Sequence, residues 1–483
     1  MYIDAFIQHI DITDIPAIVL NSNPNLSSAI ANDGLDDSMA IQAAIDWMAA
    51  QRNSGFTGES TIYIPEGIFE IGETVRVNTS DVNIVGAGSE LSVLKNTDTF
   101  QIGIEGLPDS ATEIDSANRD AYLFNIESDA NNVSFKHMTL NGPEVHGAIF
   151  GYGINGLEIS KIEFNSFLWS SIRLFNVEES SINNNTFIDA GGQAREDSGQ
   201  TGGSIYATFL KDSEIFNNVI DRTEEREGNV FGIKGRRFVN THIHHNTIRT
   251  SFAIELPFEN DSSVEIDRNL FQGGGISIPK HGGGALPDDG LTFHIHHNFF
   301  TSSYSFEWAR NGVRIDSNVF YFDPDQDEGN LITNHGGEAA DGPTSFQNNL
   351  IFNPGRGIFW GRGAYNNFSF NNNEVFATDT STPRLEGFFG FNSDTDFSTI
   401  EIKNNIISVN GSSRPLMRDS ASYNSIIENN TMSNIADINY FENPDTGNPR
   451  GISRALLFQV GAYGEMTVDG EALKEEFRME SER

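Results

Sequence analysis

Apolar and polar positions alternate in short bursts along the chain, and over residues 205–373 the bursts share a form, an apolar residue followed three positions later by asparagine. They read IFNNVI, IHHNTI, IDRNLF, IHHNFF, IDSNVF, FQNNLI and FNNNEVF. The apolar members are Ile215, Ile243, Ile266, Ile295, Ile315, Phe346 and Phe370, and the closing residues are Asn218, Asn246, Asn269, Asn298, Asn318, Asn349 and Asn373. The same register extends to Asn165 and Asn185 upstream and to Asn405 and Asn430 downstream. Intervals of 20 to 33 residues fit a solenoid whose coils are a few short strands joined by turns of variable length. Parallel strands stack about 4.8 Å apart, so each Asn lands over the last. An Asn at a bend takes a left-handed conformation and gives its amide to the next coil, which predicts an internal asparagine ladder. The Leu-x-x-Leu-x-Leu pattern of leucine-rich repeats is missing, and the coils are shorter than the roughly 40 residues of a propeller blade.

Upstream the period changes. In MAIQAAIDWMAA, Met39, Ile41, Ala44, Ile45 and Met48 suit one helix face, and Asp37 or Ser38 supplies an N-cap. A helix there covers the open end of the solenoid, which otherwise exposes an unpaired strand edge. The pattern divides the chain into a leader and capping helix at 1–60, a coiled domain at 61–440 that carries the chemistry, and a C-terminal cap or tail at 441–483.

DDSMAIQAAIDWM, followed by STIYIPEGIFEIGETVRV and VNIVGAGSE, resembles the opening of the right-handed parallel β-helix proteins of the pectate-lyase-like superfamily. That group holds polysaccharide lyases, glycoside hydrolases, alginate epimerases and phage tailspikes. The resemblance implies an all-β fold, a right-handed single-stranded parallel β-helix with an N-terminal capping helix, and action on a polysaccharide. The contiguous Asp-Pro-His-Glu group of alginate epimerases is absent. So are the closely spaced aspartates of polygalacturonase-like hydrolases, because Asp288-Asp289 lies in a Gly-rich loop without their flanking pattern.

Charge narrows the partners. Lys plus Arg total 30 against 68 Asp plus Glu, a formal charge of -38. Such a surface repels nucleic acid and anionic membranes and stays hydrated in salt, as in a marine setting. With no cysteine, neither disulfides nor a thiolate nucleophile contributes. MYIDAFIQHIDITDIPAIVL has no basic region followed by an apolar run, so no signal peptide is visible. An extracellular or periplasmic setting is the expectation. Oligomeric state is not legible.

Within the acidic chain, residues 228–310 hold seven Lys or Arg, eight Asp or Glu and seven of the 11 histidines. This locally balanced strip focuses anions and predicts an acidic, uronate-containing or sulfated glycan as partner. Counting from the ladder refines it. Alternation puts Phe231, Ile233, Phe252, Ile254, Leu256, Phe306 and Trp308 inward, which turns Lys234, Glu255 and Glu307 outward. Glu255 and Glu307 each fall nine residues after a ladder Asn, so they share a column two coils, or about 9.6 Å, apart. Lys280, His281 and Arg310 lie near that column. His335, Trp360 and Arg362 follow in later coils as substrate-binding candidates.

Two chemistries use this set. β-Elimination from a uronate needs a cation on the carboxylate and a base for the C5 proton. Arg310, Lys234 or Lys280 serve as the first, and His281, His335 or a desolvated Lys as the second. Hydrolysis needs two carboxyl groups, about 5 to 5.5 Å apart for retention or 6.5 to 9.5 Å for inversion, and Glu255 with Glu307 fits the longer spacing. The favoured expectation is a lyase, with a hydrolase using Glu255 and Glu307 next. The contrasting class is a noncatalytic glycan-binding or tailspike-like module.

No cofactor is required by these residues, although two features suit metals. The Asp-rich DPDQDEG at 323–329 is a candidate for Ca²⁺ but does not complete an EF-hand. HIHHN occurs twice, and in each the His-Ile-His alternation points two rings the same way, His242 with His244 and His294 with His296. Glu265 and Asp267 occupy the equivalent positions of the coil between them, so imidazoles and carboxylates one layer apart could bind Zn²⁺ or Mn²⁺. A column of surface ion pairs, continued by Arg314 and Asp316, is the plainer alternative.

Overall fold

The computed structural model describes residues 8–20, 27–100, 120–191, 202–222, 231–257, 262–279, 292–302, 304–307, 312–322, 330–335, 344–352, 354, 357–362, 368–377, 389–391, 400–409, 425–434, 458–460 and 466–468. They fall in two compact units, Met1–Ile254 and Glu255–Arg483. Each is a parallel β-helix of three walls, and alternation along each strand sends every second side chain into the core.

In Met1–Ile254, the helix Ser38–Asn53 follows the single strand His9–Asp11, precedes the other strands, and buries Ile41, Ala44, Ile45 and Met48. Met39 is 45% exposed, because a residue two positions from Ile41 points about 200° away around the helix. Gln42 docks the helix on strand Val75–Val77, accepting the Arg76 N–H at 2.7 Å and donating to its carbonyl at 3.0 Å. Asp37 occupies the N-cap position without a side-chain cap bond. Its carboxylate instead accepts the N–H groups of Ile30 and Glu70, while Asp36 accepts the Ser38 N–H. Burial pushes the Asp37 carboxyl up to about 6, against the pull of those two N–H bonds.

The first wall of this unit stacks Ile10, Ile62, Ile84, Phe135, Ile159, Ile182, Ile215 and Ile243 in register. The second runs Phe69, Leu94, Leu140, Phe164, Phe187, Ile220 and Ile248, and the third Val75, Phe124, Ile149, Ile172, Ile205 and Ile233. In Glu255–Arg483 the first wall is Ile266, Ile295, Ile315, Phe346, Phe370, Ile402 and Ile427. The second is Phe271, Phe300, Phe320, Ile351, Val375, Ile407 and Met432. Ile276, Phe306, Ile332, Phe359 and Phe389 form the third. Of residues 441–483, the described part is an antiparallel pair, Phe458–Val460 with Met466–Val468.

The asparagine ladder stands at the corner between first and second walls. In the first unit Asn185 Nδ2 donates to Asn218 Oδ1 and Asn218 Nδ2 to Asn246 Oδ1, each at 3.0 Å. In the second the chain of donors runs Asn269, Asn298, Asn318, Asn349, Asn373, Asn405, Asn430. Each Oδ1 also accepts the backbone N–H of the Asn before it, as between Asn298 and Asn318 at 2.9 Å. The left-handed residue is the one preceding the ladder Asn, with φ from 51 to 57° at Arg268, His297, Ser317, Asn348, Asn372, Asn404 and Asn429. That turn aims the following amide inward.

Asn165 is not a rung. Ile162, just after the left-handed Lys161 with φ 55°, holds the corner of its coil and donates its N–H to Asn185 Oδ1, while Asn165 ends the strand Leu157–Asn165 beyond that corner and pairs with Ile188 on the second wall.

Candidate functional site

Strands of the third wall carry Lys234, Glu255, Glu307, His335, Trp360 and Arg362, six of the site residues expected from the sequence. In the first unit its outward column is Arg76, Asn125, Phe150, Arg173, Tyr206 and Lys234, one per coil. Outward positions of a wall are usually wet, yet Phe150, Arg173 and Tyr206 are buried. The Arg173 guanidinium lies between two rings, 4.0 Å from the Phe175 centroid and 3.6 Å from that of Tyr206. Such stacking offsets part of the cost of removing the cation from water. Arg173 also donates to the Tyr206 carbonyl at 3.3 Å, and burial pulls its proton affinity down. Tyr122, Phe150 and Phe175 pack beside it with Tyr152 against them, and burial pushes the Tyr122 phenol up.

Lys234 sits one coil beyond Tyr206, half-buried, with its ammonium 4.2 Å from the Phe231 centroid. Phe252, expected to point inward, is only partly buried and packs on Phe231 at 5.0 Å.

In the second unit, Glu255 ends its strand and is partly exposed. The next residue, Leu256, donates its N–H to the Ser277 carbonyl at 3.0 Å, the bond a residue makes when the one before it stands opposite Ser277 in a parallel ladder. Ser277 pairs with Glu307, Glu307 with Thr333 and Thr333 with Trp360. The backbone register therefore strings Glu255, Ser277, Glu307, Thr333 and Trp360 along one column. His335 pairs with Arg362 two positions along. Phe359 is fully buried in the core. Lys280, His281 and Arg310 lie outside the described residues, as does the DPDQDEG segment at 323–329.

The histidines occupy the first wall. In the first unit Glu214 pairs with His242 and Phe216 with His244. The ring centroids of His242 and His244 are 4.0 Å apart, and His244 stacks flat on Phe216 at 4.9 Å. In the second, Glu265 pairs with His294 and Asp267 with His296, and the two rings are 4.1 Å apart. In both groups one donor atom per residue lies within 4.8 Å of the others, Glu214 with His242 and His244, and Glu265 with His294 and His296. The carboxylate thus comes from the coil before each His-Ile-His.

In the second group His296 Nε2 meets Glu265 Oε1 at 2.9 Å and His294 Nε2 meets Asp316 Oδ2 at 2.8 Å. Arg314 Nε holds the same Asp316 oxygen at 2.7 Å. Burial raises the Asp316 carboxyl, but the His294 hydrogen bond, Arg314 and the neighbouring imidazoles outweigh it and hold the group at about 2. Imidazole with carboxylate suits a divalent transition ion better than Ca²⁺, which takes oxygen ligands.

Counting from the ladder missed Arg173, Tyr206 and Glu214. Their signal was present in SIRLFNVE, SIYATFL and SEIFNN, which carry the register of FGIKGRR and HIHHN one or two coils earlier. All three lie upstream of the balanced strip at 228–310.

Residues 27–211 match the family model described as rhamnogalacturonase A/epimerase, pectate lyase-like. No curated protein sequence matches the chain. Among solved structures, the tailspike protein of E. coli bacteriophage HK620 in complex with a pentasaccharide superposes with a TM-score of 0.59 at 11% identity, covering 89% of this chain and 79% of that one. A doubly substituted form of the same tailspike, also with pentasaccharide, gives 0.59 at 11% over 88% and 78%. A further variant with a hexasaccharide gives 0.58 at 10% over 88% and 78%. At such identities the likeness is one of fold alone: the chain is a parallel β-helix with the fold of those tailspikes, and over residues 27–211 it is similar to the pectate-lyase-like family model.

Proposed function

We propose that this protein cleaves an acidic polysaccharide laid along the outer side of the third wall, and that hydrolysis by Glu255 and Glu307 is the better-supported chemistry. The observation that carries the reading is the register Glu255, Ser277, Glu307, Thr333, Trp360. Two coils separate the glutamates by about 9.6 Å of backbone, and side chains leaning together bring the carboxyl groups into the roughly 6.5 to 9.5 Å range of inverting hydrolases. One glutamate then protonates the leaving oxygen while the other activates water from the opposite face. Ser277, a small buried residue, stands between them in the column. Trp360 is offered as a stacking platform, and His335 and Arg362 as partners for carboxylate or sulfate.

β-Elimination is the second reading, favoured by the concentration of Lys, Arg and His in residues 228–310. There Lys234, Lys280 or Arg310 neutralises a uronate, and His281 or a lysine removes the C5 proton.

One assay separates the two. Incubation with uronate and sulfated glycans is expected to release oligosaccharides with new reducing ends and no absorbance near 235 nm; absorbance there marks an unsaturated uronate and elimination. Glu255→Gln and Glu307→Gln are each expected to lower kcat by about 100-fold or more. Full activity in either variant removes that residue from the pair, and no product from any glycan refutes catalysis altogether.

A further inference from the structure

The two first-wall groups carry more than a column of ion pairs would need. Each has a glutamate, a His-Ile-His pair in the following coil, and a third histidine held left-handed at the corner, His245 with φ 56° and His297 with φ 54°. In each, that corner ring meets the second ligand ring through Nδ1, His244 with His245 at 2.7 Å and His296 with His297 at 2.8 Å. Engaging Nδ1 in this way turns Nε2 of the second ring toward the glutamate, where His296 Nε2 stands 2.9 Å from Glu265. His294 has its Nε2 on the buried Asp316, itself clamped by Arg314, so Nδ1 is the nitrogen left to bind. A carboxylate behind a ligating imidazole fixes its tautomer and raises its basicity.

We propose that Glu265, His294 and His296 form a binding site for a divalent transition metal, with Zn²⁺ the best fit, and that Glu214, His242 and His244 form its repeat. Donor atoms around tetrahedral zinc stand about 3.3 Å apart. Atoms already within 4.8 Å of one another reach that spacing by small side-chain rotations. Two imidazoles and one carboxylate leave a coordination position open, and the Glu265 side chain, 51% exposed, leaves it facing solvent. Asp316 and His297 act behind the ligands as positioning residues. Hard-oxygen ions are discriminated against, since two of three donors are nitrogen. The proposal does not depend on the glycan reading, because binding is measured without substrate.

The test uses the full chain, stripped with chelator, equilibrated with ZnCl₂ in excess CaCl₂ to occupy the many exposed carboxylates, then desalted and assayed for zinc. The unmodified chain is expected to retain two zinc ions, His294→Ala one, and the double variant with His242→Ala none. Glu265→Gln, a surface change that spares the core, keeps the test valid should a histidine variant lose its circular dichroism signal, and is expected to lose the same single ion. Asp316→Asn is expected to weaken the second-unit site about 10- to 100-fold in a calorimetric titration. No retained zinc in the unmodified chain, or equal zinc in the chain and the double variant, overturns the proposal.

Discussion

Removing one rung of the asparagine ladder tests whether the corner or the apolar interior holds successive coils in register. Asn318 sits midway along the ladder of the second unit and is fully buried. Its Nδ2 donates to Asn349 Oδ1 at 3.1 Å and to the carbonyls of Ile295 and Asp316 at 3.0 Å, and its Oδ1 accepts the backbone N–H and Nδ2 of Asn298 at 2.9 and 3.0 Å. Asn318→Ala deletes all five bonds, but the consequences differ among partners. Asn298 Nδ2 keeps the carbonyls of Ile266 and His296, and Asn349 Oδ1 keeps the Asn318 N–H. The Asn298 N–H loses its ladder acceptor in a dry interior, a cost of about 1 to 3 kcal/mol. The shared bonds contribute roughly 0.5 kcal/mol or more apiece. The sum is about 3 to 5 kcal/mol, concentrated in adjacent layers because coils meet only their neighbours. Native-state hydrogen exchange reads this locally. The Asn298 and Asn318 amides are expected to exchange at least about 100-fold faster, with little change several coils away. Less than about a fivefold acceleration at both amides would refute the reasoning and assign coil register to the stacked apolar walls alone.

Two further outcomes follow from the first unit. Asp37 titrates near 6 when folded against an ordinary 3.8, so its favourable contribution is fully present below pH 3.8 and is lost as pH rises through 6. Amides of the helix Ser38–Asn53 are expected to lose protection between pH 4 and 6 beyond the intrinsic exchange rate, and Asp37→Asn to flatten that loss; an unchanged pH dependence in the variant sinks the assignment. Arg173→Ala leaves the Phe175 and Tyr206 rings with an empty slot between them and is expected to lower urea stability by about 2 to 4 kcal/mol, with Arg173→Lys a poor rescue because an ammonium does not stack; wild-type stability in Arg173→Lys argues that charge alone matters there.

The coil period, the stacked apolar interior and the ladder from Asn185 onward were legible in the sequence because a single spacing, apolar then Asn three positions on, encodes both the inward side chain and the corner; the number of walls was not. The same spacing misled at Asn165, because the corner is already turned at Lys161 with φ 55°, so Ile162 takes the rung position and the Asn three positions later falls on the second wall. Composition cannot distinguish the two, since backbone direction decides which residue faces the corner. The left-handed turn belongs to the residue before each rung; Asn fills that place at Asn184, Asn217, Asn348, Asn372, Asn404 and Asn429, as its tolerance of this conformation favours, but Arg268, His297 and Ser317 adopt it too, so an Asn-Asn pair marks some corners and not others. Glu214 escaped because a His-rich motif draws the eye to its own coil, whereas the carboxylate that meets it lies 28 residues earlier. Arg173 escaped because a lone arginine between Ile172 and Leu174 reads as an exposed outward residue, and only the rings of neighbouring coils bury it.

The identical corner at every layer of the second unit has a consequence for how such a molecule changes length. A copy of residues 318–348 spliced in ahead of Asn349 would begin with an Asn whose Oδ1 takes the amide of the original Asn318, as Asn318 now takes that of Asn298, and would hand its own amide to Asn349. Extra turns of chain, or losses of one, leave no mismatched seam, so the fold can be lengthened or shortened in whole increments while the flanking machinery keeps its geometry.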